Sequence, residues 1–430
     1  MVSDTQKIQQ KRSGFYAWRV LALMLGPRAG GAGVVQFSST NFVIPLEATL
    51  GVNRSVISSI FALGMLVSSI TSPALGILID KFGARKILFA TTLLVGGGFM
   101  LLSQAHSILV VGIAYIGFVG LGFMTLAFQG TSVIVNNWFD KYKAMAMSIL
   151  QVGASFGAFI LVPLLAYIID SMGWREAAFV AGVIIIVLGI PGVIFSRNAP
   201  EEMGLGPDGV PRDPSLPPSS SIAPELTGLT AMQAARTTVF WTLSFATVFS
   251  TAATFTLQIH FIPILVSKGM GPVGAAGLLS ILALVSIPVT ILTGALGDRF
   301  HRPKVAAVLS AVVGLGVLVL TLGTNLWVFW VAIVLISGFQ GLFPLVWAAT
   351  GEAFGRRAFG TIRGAITAVQ VLGTATMPVI AGTLFDRTGS YTIALWMVIG
   401  CTLLTSLFFL LTPRMTYKTT RMPSGTPEST

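Results

Sequence analysis

The chain has 430 residues, 54% hydrophobic and only 10% charged, against about 25% charged in an ordinary soluble domain, and with a mean hydropathy of +0.86 it reads as a polytopic membrane protein. A formal charge of +11 suits nucleic acid only with a basic patch and groove-reading motifs. The basic residues are instead scattered through short loops, so no nucleic-acid partner is expected. The single cysteine, Cys401, excludes an internal disulfide and any cysteine-based metal site.

The start, Met1–Ser13, is polar and lacks a small-residue cleavage pattern before Trp18, so no cleavable signal peptide is expected. About 20 apolar residues cross the hydrocarbon core of a bilayer. Twelve such runs follow, the first six near 17–45, 55–79, 87–104, 108–130, 144–169 and 176–196. The second six lie near 238–266, 273–297, 304–323, 326–350, 362–385 and 390–412. An even number leaves both termini on one side. That side carries 21 Lys and Arg, and the other carries four, Arg54, Arg175, Lys268 and Arg387. The positive-inside rule therefore predicts cytoplasmic termini in a multi-pass protein of the inner (plasma) membrane, in contact with its lipid bilayer.

Arg28 is the remaining basic residue, placed by this count inside the first span in Gly26-Pro27-Arg28-Ala29-Gly30-Gly31-Ala32-Gly33. A charge at the bilayer centre costs about 2.5–3.5 kcal/mol on insertion scales, so it faces water or an anionic partner by default. The competing reading is a packing arginine capped by backbone carbonyls. Its glycines allow close approach of a substrate or of another helix, and Pro27 is a candidate helix break.

Between the sixth and seventh spans, Asn198 to Thr230 is rich in Pro, Ser and Gly with scattered acids, and it reads as a flexible cytoplasmic linker. The expected division is a tail 1–16, a six-helix bundle 17–197, a linker 198–237, a second bundle 238–412 and a tail 413–430. The halves repeat. Gly76-Ile77-Leu78-Ile79-Asp80-Lys81-Phe82-Gly83-Ala84-Arg85-Lys86 follows span two, and Gly294-Ala295-Leu296-Gly297-Asp298-Arg299-Phe300-His301-Arg302-Pro303-Lys304 follows span eight, 218 residues later. Asp170-x-x-Gly173 and Asp386-x-x-Gly389 form a second pair at an offset of 216. Duplicated six-helix units are the pattern of transporters with a site between the repeats.

The Gly-x-Leu-x-Asp-x-x-Gly-x-Arg-Lys element at 76–86 resembles the cytoplasmic loop signature of the major facilitator superfamily; the second copy is weaker, with His301 and Pro303 at variance. The fold this implies is all-α, twelve transmembrane helices in two pseudo-symmetric six-helix bundles. An aspartate at a helix end can accept hydrogen bonds from the start of a neighbouring helix. The resemblance implies that Asp80 with Arg85, and Asp298 with Arg299, latch a cytoplasmic gate; the plainer reading is a tight turn with a topology signal. Asn137-Trp138-Phe139 with Lys143, Arg197 to Gly209, Gln258-Ile259-His260-Phe261-Ile262-Pro263 and Glu352-x-Phe354-Gly355-x-x-x-x-Gly360 together are similar to the monocarboxylate transporter branch and its oxalate/formate exchanger relatives.

That resemblance implies a secondary active transporter for a small organic anion, with Arg28 as carboxylate anchor, since a guanidinium matches a carboxylate bidentately and stays charged. Spans one, four, seven and ten line the path in this family, which adds Gln36, Tyr115, Gln129, Gln258, Gln340 and Trp347 as substrate contacts; interhelical hydrogen bonds are the alternative. Many relatives carry an arginine in span eight where this chain has Thr290, and 365–385 of span eleven lacks the lysine of oxalate exchangers. A monocarboxylate held by Arg28 nearly alone is therefore expected. No carboxylate lies deep in a span. His260 is the one span-located group that titrates near neutrality, a substrate or proton-relay candidate, so proton symport and anion exchange both stay open.

Another small solute, as in a drug–proton antiporter, is the alternative; Leu126 stands where that pattern wants arginine. An enzyme would need clustered catalytic groups, yet His106, His260 and His301 fall at the ends of different spans. No cofactor or metal is expected, and a monomer is.

Overall fold

The computed structural model describes residues 4–209, 227–323 and 325–413. Twelve helices are long and apolar enough to cross a membrane: α1 (Tyr16–Leu50), α2 (Val56–Phe82), α3 (Ala84–Ser103), α4 (Ile108–Trp138), α5 (Lys143–Met172), α6 (Trp174–Phe195), α7 (Thr238–Ser267), α8 (Gly277–Arg299), α9 (Arg302–Leu322), α10 (Leu326–Phe354), α11 (Phe359–Thr388) and α12 (Thr392–Leu410). They form two bundles of six. Among the described residues the sole β pairing is one bridge, Gly228 with Gly355.

The outer surface is apolar, with Phe159, Tyr167 and Trp327 exposed, as a lipid-facing surface requires. Buried aromatics, Phe42, Phe99 and Tyr115 in one bundle and Phe261, Phe354 and Phe409 in the other, fill the interiors. Lipid is as apolar as leucine, so close packing and internal hydrogen bonds hold such bundles together.

α4 runs eight residues past the expected end at 130, to Trp138. Asn136, Asn137 and Trp138 are polar or amphipathic but buried. The Asn137 amide donates to the Asn198 carbonyl at 3.1 Å and the Trp138 indole to that of Arg197 at 2.9 Å. Burial against the exit of α6 thus extends the helix where hydropathy alone ends it.

The linker is less free than its composition implies, because its described ends are docked. Asp208 accepts from the backbone of Asp140 and Lys141 at 3.2 and 2.7 Å. Glu201 pairs with Arg356. The Thr227 carbonyl accepts from the Arg356 backbone at 2.8 Å, and Thr230 caps a short helix, Ala231–Ala235. Residues 210–226 of the expected linker lie outside the described residues.

The sequence repeat is expressed at two seams. α2 packs on α11 and α8 on α5, each seam on the side of the protein that bears the linker. A Cβ on Gly76 would meet the Gly360 carbonyl oxygen at 2.4 Å, and one on Gly364 would meet that of Ser72 at 2.4 Å. In the second seam a Cβ on Gly294 would meet the Ser148 hydroxyl at 2.4 Å. Glycine at 76 lets α2 and α11 touch backbone to backbone, and glycine at its counterpart 294 lets α8 close onto the Ser148 side chain of α5.

Candidate functional site

α1 carries Arg28 to the seam between the bundles. The helix passes through Pro27 without breaking and widens to π geometry only at Gly31–Ser38. The glycines around Arg28 admit neighbouring helices. A Cβ at Gly26 would meet the Leu188 carbonyl oxygen at 2.3 Å, and one at Gly33 would meet Gly157 backbone at 2.8 Å. Of the two readings of that glycine run, helix packing accounts for those two positions.

The Arg28 side chain is buried at 4% exposure. Its Nη1 donates to the Ala127 carbonyl at 2.8 Å, its Nη2 to Gln151 Oε1, and its guanidinium lies over the Phe128 ring, 4.2 Å from the centroid. Ala127 and Phe128 lie in a π-helical stretch of α4, Thr125–Gln129, a distortion frequent at functional sites. Gln151 Nε2 then donates to Gln340 Oε1 of α10 at 3.3 Å, which carries the chain of contacts into the second bundle. Arg28 Nε has no hydrogen-bond partner, and among the described residues no carboxylate pairs with this guanidinium.

A second buried guanidinium corrects the sequence reading. Arg363, counted there with the basic residues of the membrane edge, lies four residues into α11, and its side chain is buried at 3% exposure. It stacks on Trp347 of α10 with 3.7 Å to the ring centroid. Its Nε and Nη1 lack hydrogen-bond partners. Arg28 is therefore not the lone buried cation. The clue was available: Arg363 falls within the expected span 362–385, but a lone basic residue next to a loop reads as a topology signal.

The other expected contacts divide. Gln340 and Trp347 join the two arginines as described. Gln129 belongs to the α2–α11 seam: its Nε2 donates to the carbonyls of Ser72 and Gly360 at 3.1 and 2.7 Å. Tyr115 is core of the first bundle, stacked on Phe61 at 4.2 Å with its hydroxyl 2.7 Å from that of Ser39. Gln36 is half-buried and Gln258 exposed, and neither has a hydrogen-bond partner among the described residues. His260 stays within the second bundle, Nδ1 3.3 Å from the Tyr391 hydroxyl and Nε2 3.0 Å from the Pro378 carbonyl.

The repeated aspartates make equivalent contacts across the two seams. Asp80 accepts from the backbone N–H of Gly360 at 3.0 Å and of Thr361 at 2.7 Å, and from the Thr361 hydroxyl at 2.6 Å. Asp298 accepts from the backbone N–H of Ala144 and Met145 at 2.8 and 2.9 Å. Each carboxylate thus caps the opposite bundle's helix, where unpaired N–H groups and the helix dipole favour negative charge. Their expected basic partners are elsewhere. Arg85 donates to the Val193 carbonyl at 2.7 Å and to that of Ile194, closing the end of α6. Arg299 is exposed; Arg302, the first residue of α9, pairs instead with Asp298 at 3.3 Å and Glu352 at 2.9 Å. Arg356 adds a link across the bundles, donating to the Asn137 carbonyl at 2.8 Å.

Two bundles of membrane helices meet at paired seams, and two guanidiniums, Arg28 and Arg363, are buried within them. The sequence model of the Major Facilitator Superfamily matches residues 29–378, and the chain belongs to that family. It is 25% identical to monocarboxylate transporter 11 of Homo sapiens, over 81% of this chain and 73% of that protein. It is also 25% identical to monocarboxylate transporter 13 of Bos taurus, over 93% and 89%. Among solved structures, the major facilitator transporter FucP in its outward conformation superposes with a TM-score of 0.71 at 16% identity, covering 94% of this chain and all of that one. The human organic anion transporter MFSD10 gives 0.66 at 15% identity, over 93% and 99%. The chain is thus a multi-pass transporter of a small solute, not an enzyme.

Proposed function

We propose that this protein moves a small organic anion bearing a carboxylate across the inner membrane by alternating access. The observation that carries the reading is Arg28: a buried guanidinium linked to the opposite bundle through Gln151, with no acid paired to it among the described residues and Nε unpartnered. Arginine stays charged at physiological pH, and a buried charge without a counter-ion is costly even where some of its N–H groups are hydrogen-bonded. A carboxylate is the planar counter-ion that completes it. The names of the relatives favour a carboxylate as well. The narrower preference for a monocarboxylate drew also on Arg28 acting nearly alone, and Arg363 weakens that second ground.

Residues 17–197 and 238–412 are the two moving halves in this reading, with linker and termini in the cytoplasm, as the 21-to-four distribution of basic residues supports. Asp80 and Asp298 are the latches of the cytoplasmic gate. Both are engaged across the seams, which supports a gate closed on the linker side. Arg28, Gln151 and Gln340 bind the anion, and the protein works as a monomer, by proton symport or anion exchange. Uptake of small carboxylates into proteoliposomes by wild type and Arg28→Gln tests the reading; carboxylate uptake by a folded Arg28→Gln equal to wild type overturns it.

A further inference from the structure

Arg363 has no role in the reading so far, and its surroundings do not provide for it. It lies on α11, directly before Gly364, whose backbone packs on Ser72 and Pro73 of α2. Its charge is met by the face of Trp347 alone, and a ring face offers no acceptor to the buried N–H groups at Nε and Nη1. Ion pairs among the described residues include Lys143–Asp140, Arg302–Asp298, Arg302–Glu352 and Arg356–Glu201. None involves Arg28 or Arg363.

The two guanidiniums come from opposite bundles; Arg363 stacks on Trp347 of α10, and Arg28 is linked to the same helix through Gln151, which donates to Gln340. Gln340, at the end of the Arg28–Gln151 chain, and Trp347, the plate under Arg363, are seven residues apart, two helical turns or about 10 Å along the axis. Two buried like charges linked to one helix in this way repel. A ligand with one negative charge leaves the pair half neutralised, whereas one with two leaves it neutral.

We propose that Arg363 is the second anion-binding group of the site, and that the pair selects small dicarboxylates, one carboxylate at Arg28 and the other at Arg363, over singly charged carboxylates. The proposal rests on the carboxylate reading of Arg28. It places the second cation on α11, not at the α8 position occupied by Thr290.

The test is equilibrium binding to the full chain in nanodiscs, with oxalate, malonate and succinate set against formate, acetate and propionate. Wild type is expected to bind the best dicarboxylate at least about tenfold more tightly than any of the monocarboxylates, about 1.4 kcal/mol. Arg363→Gln removes that preference by weakening the dicarboxylate, and changes monocarboxylate affinity less than about threefold; Arg363→Lys, which keeps the charge, retains part of it. Equal affinity of wild type for the two classes overturns the proposal and leaves the carboxylate reading standing, and so does a dicarboxylate preference that survives Arg363→Gln. Failure of wild type to bind either class, or unchanged binding of both by Arg28→Gln, overturns the carboxylate reading itself. If neither Arg363 variant folds, the wild-type preference alone decides.

Discussion

Asp80 holds Thr361 by two hydrogen bonds, from the backbone N–H at 2.7 Å and from the hydroxyl at 2.6 Å, across the seam between the bundles. With the bond from Gly360, one carboxylate occupies the first turn of α11. Hydrogen bonds to a charged group contribute about 1.5–3 kcal/mol each. Asp80→Ala is therefore expected to shift the balance toward the linker-side-open state by at least about tenfold, with Asp80→Asn between it and wild type. Distances between spin labels on the linker-side ends of α2 and α11 read the shift. An unchanged distribution contradicts the latch.

The second latch separates two neighbouring arginines. Arg302→Gln leaves Asp298 and Glu352 without their cation in a buried setting, and it is expected to lower the melting temperature of the purified protein. Arg299→Gln removes an exposed side chain and is expected to stay within about 0.5 kcal/mol of wild type. The reverse order in a thermal denaturation series would restore Arg299 to the gate.

Backbone contact at the α2–α11 seam gives a steric prediction. A Cβ at Gly364 would lie 2.4 Å from the Ser72 carbonyl oxygen and 2.8 Å from Pro73 Cα, backbone atoms that cannot turn aside. Gly364→Val is expected to hold the linker side open and to abolish transport while the protein still reaches the membrane. Cysteine accessibility from the linker side, compared with wild type, measures it.

The fold was legible because lipid imposes a simple rule: each span must be an apolar helix satisfied within itself. The repeat was legible because Asp80 and Asp298 meet the same need, capping a helix of the opposite bundle. Charge partners were not. Arg85, five residues after Asp80, and Arg299, next to Asp298, pair with neither motif aspartate, since a side chain's direction depends on which helix lies beside it. Arg363 is the clearest case, because a basic residue one turn inside a helix has the same sequence signature whether it snorkels to lipid headgroups or turns inward onto Trp347. Tyr115 and Gln129 were legible as buried polar groups; the packing of α1 on α4 and of α2 on α11 decided that they hold helices together.

His260 bridges α7 to α11 and to the Tyr391 hydroxyl, within one bundle. His260→Gln is expected to lower the melting temperature while leaving the apparent KM for carboxylate uptake within about twofold of wild type, since each net hydrogen bond contributes about 1 kcal/mol. A raised KM with unchanged stability would move His260 into the substrate path. Uptake by wild type with and without a pH gradient separates the coupling modes, and gradient-independent uptake removes proton symport.

The central claim is that Arg28 binds the transported anion. The most direct measurement is carboxylate binding to purified Arg28→Gln, alongside a thermal melt that establishes folding. The account predicts a folded protein whose carboxylate affinity falls at least about a hundredfold, the loss of about 2.7 kcal/mol of charge-assisted contact. A folded Arg28→Gln that binds carboxylates as wild type does would contradict it.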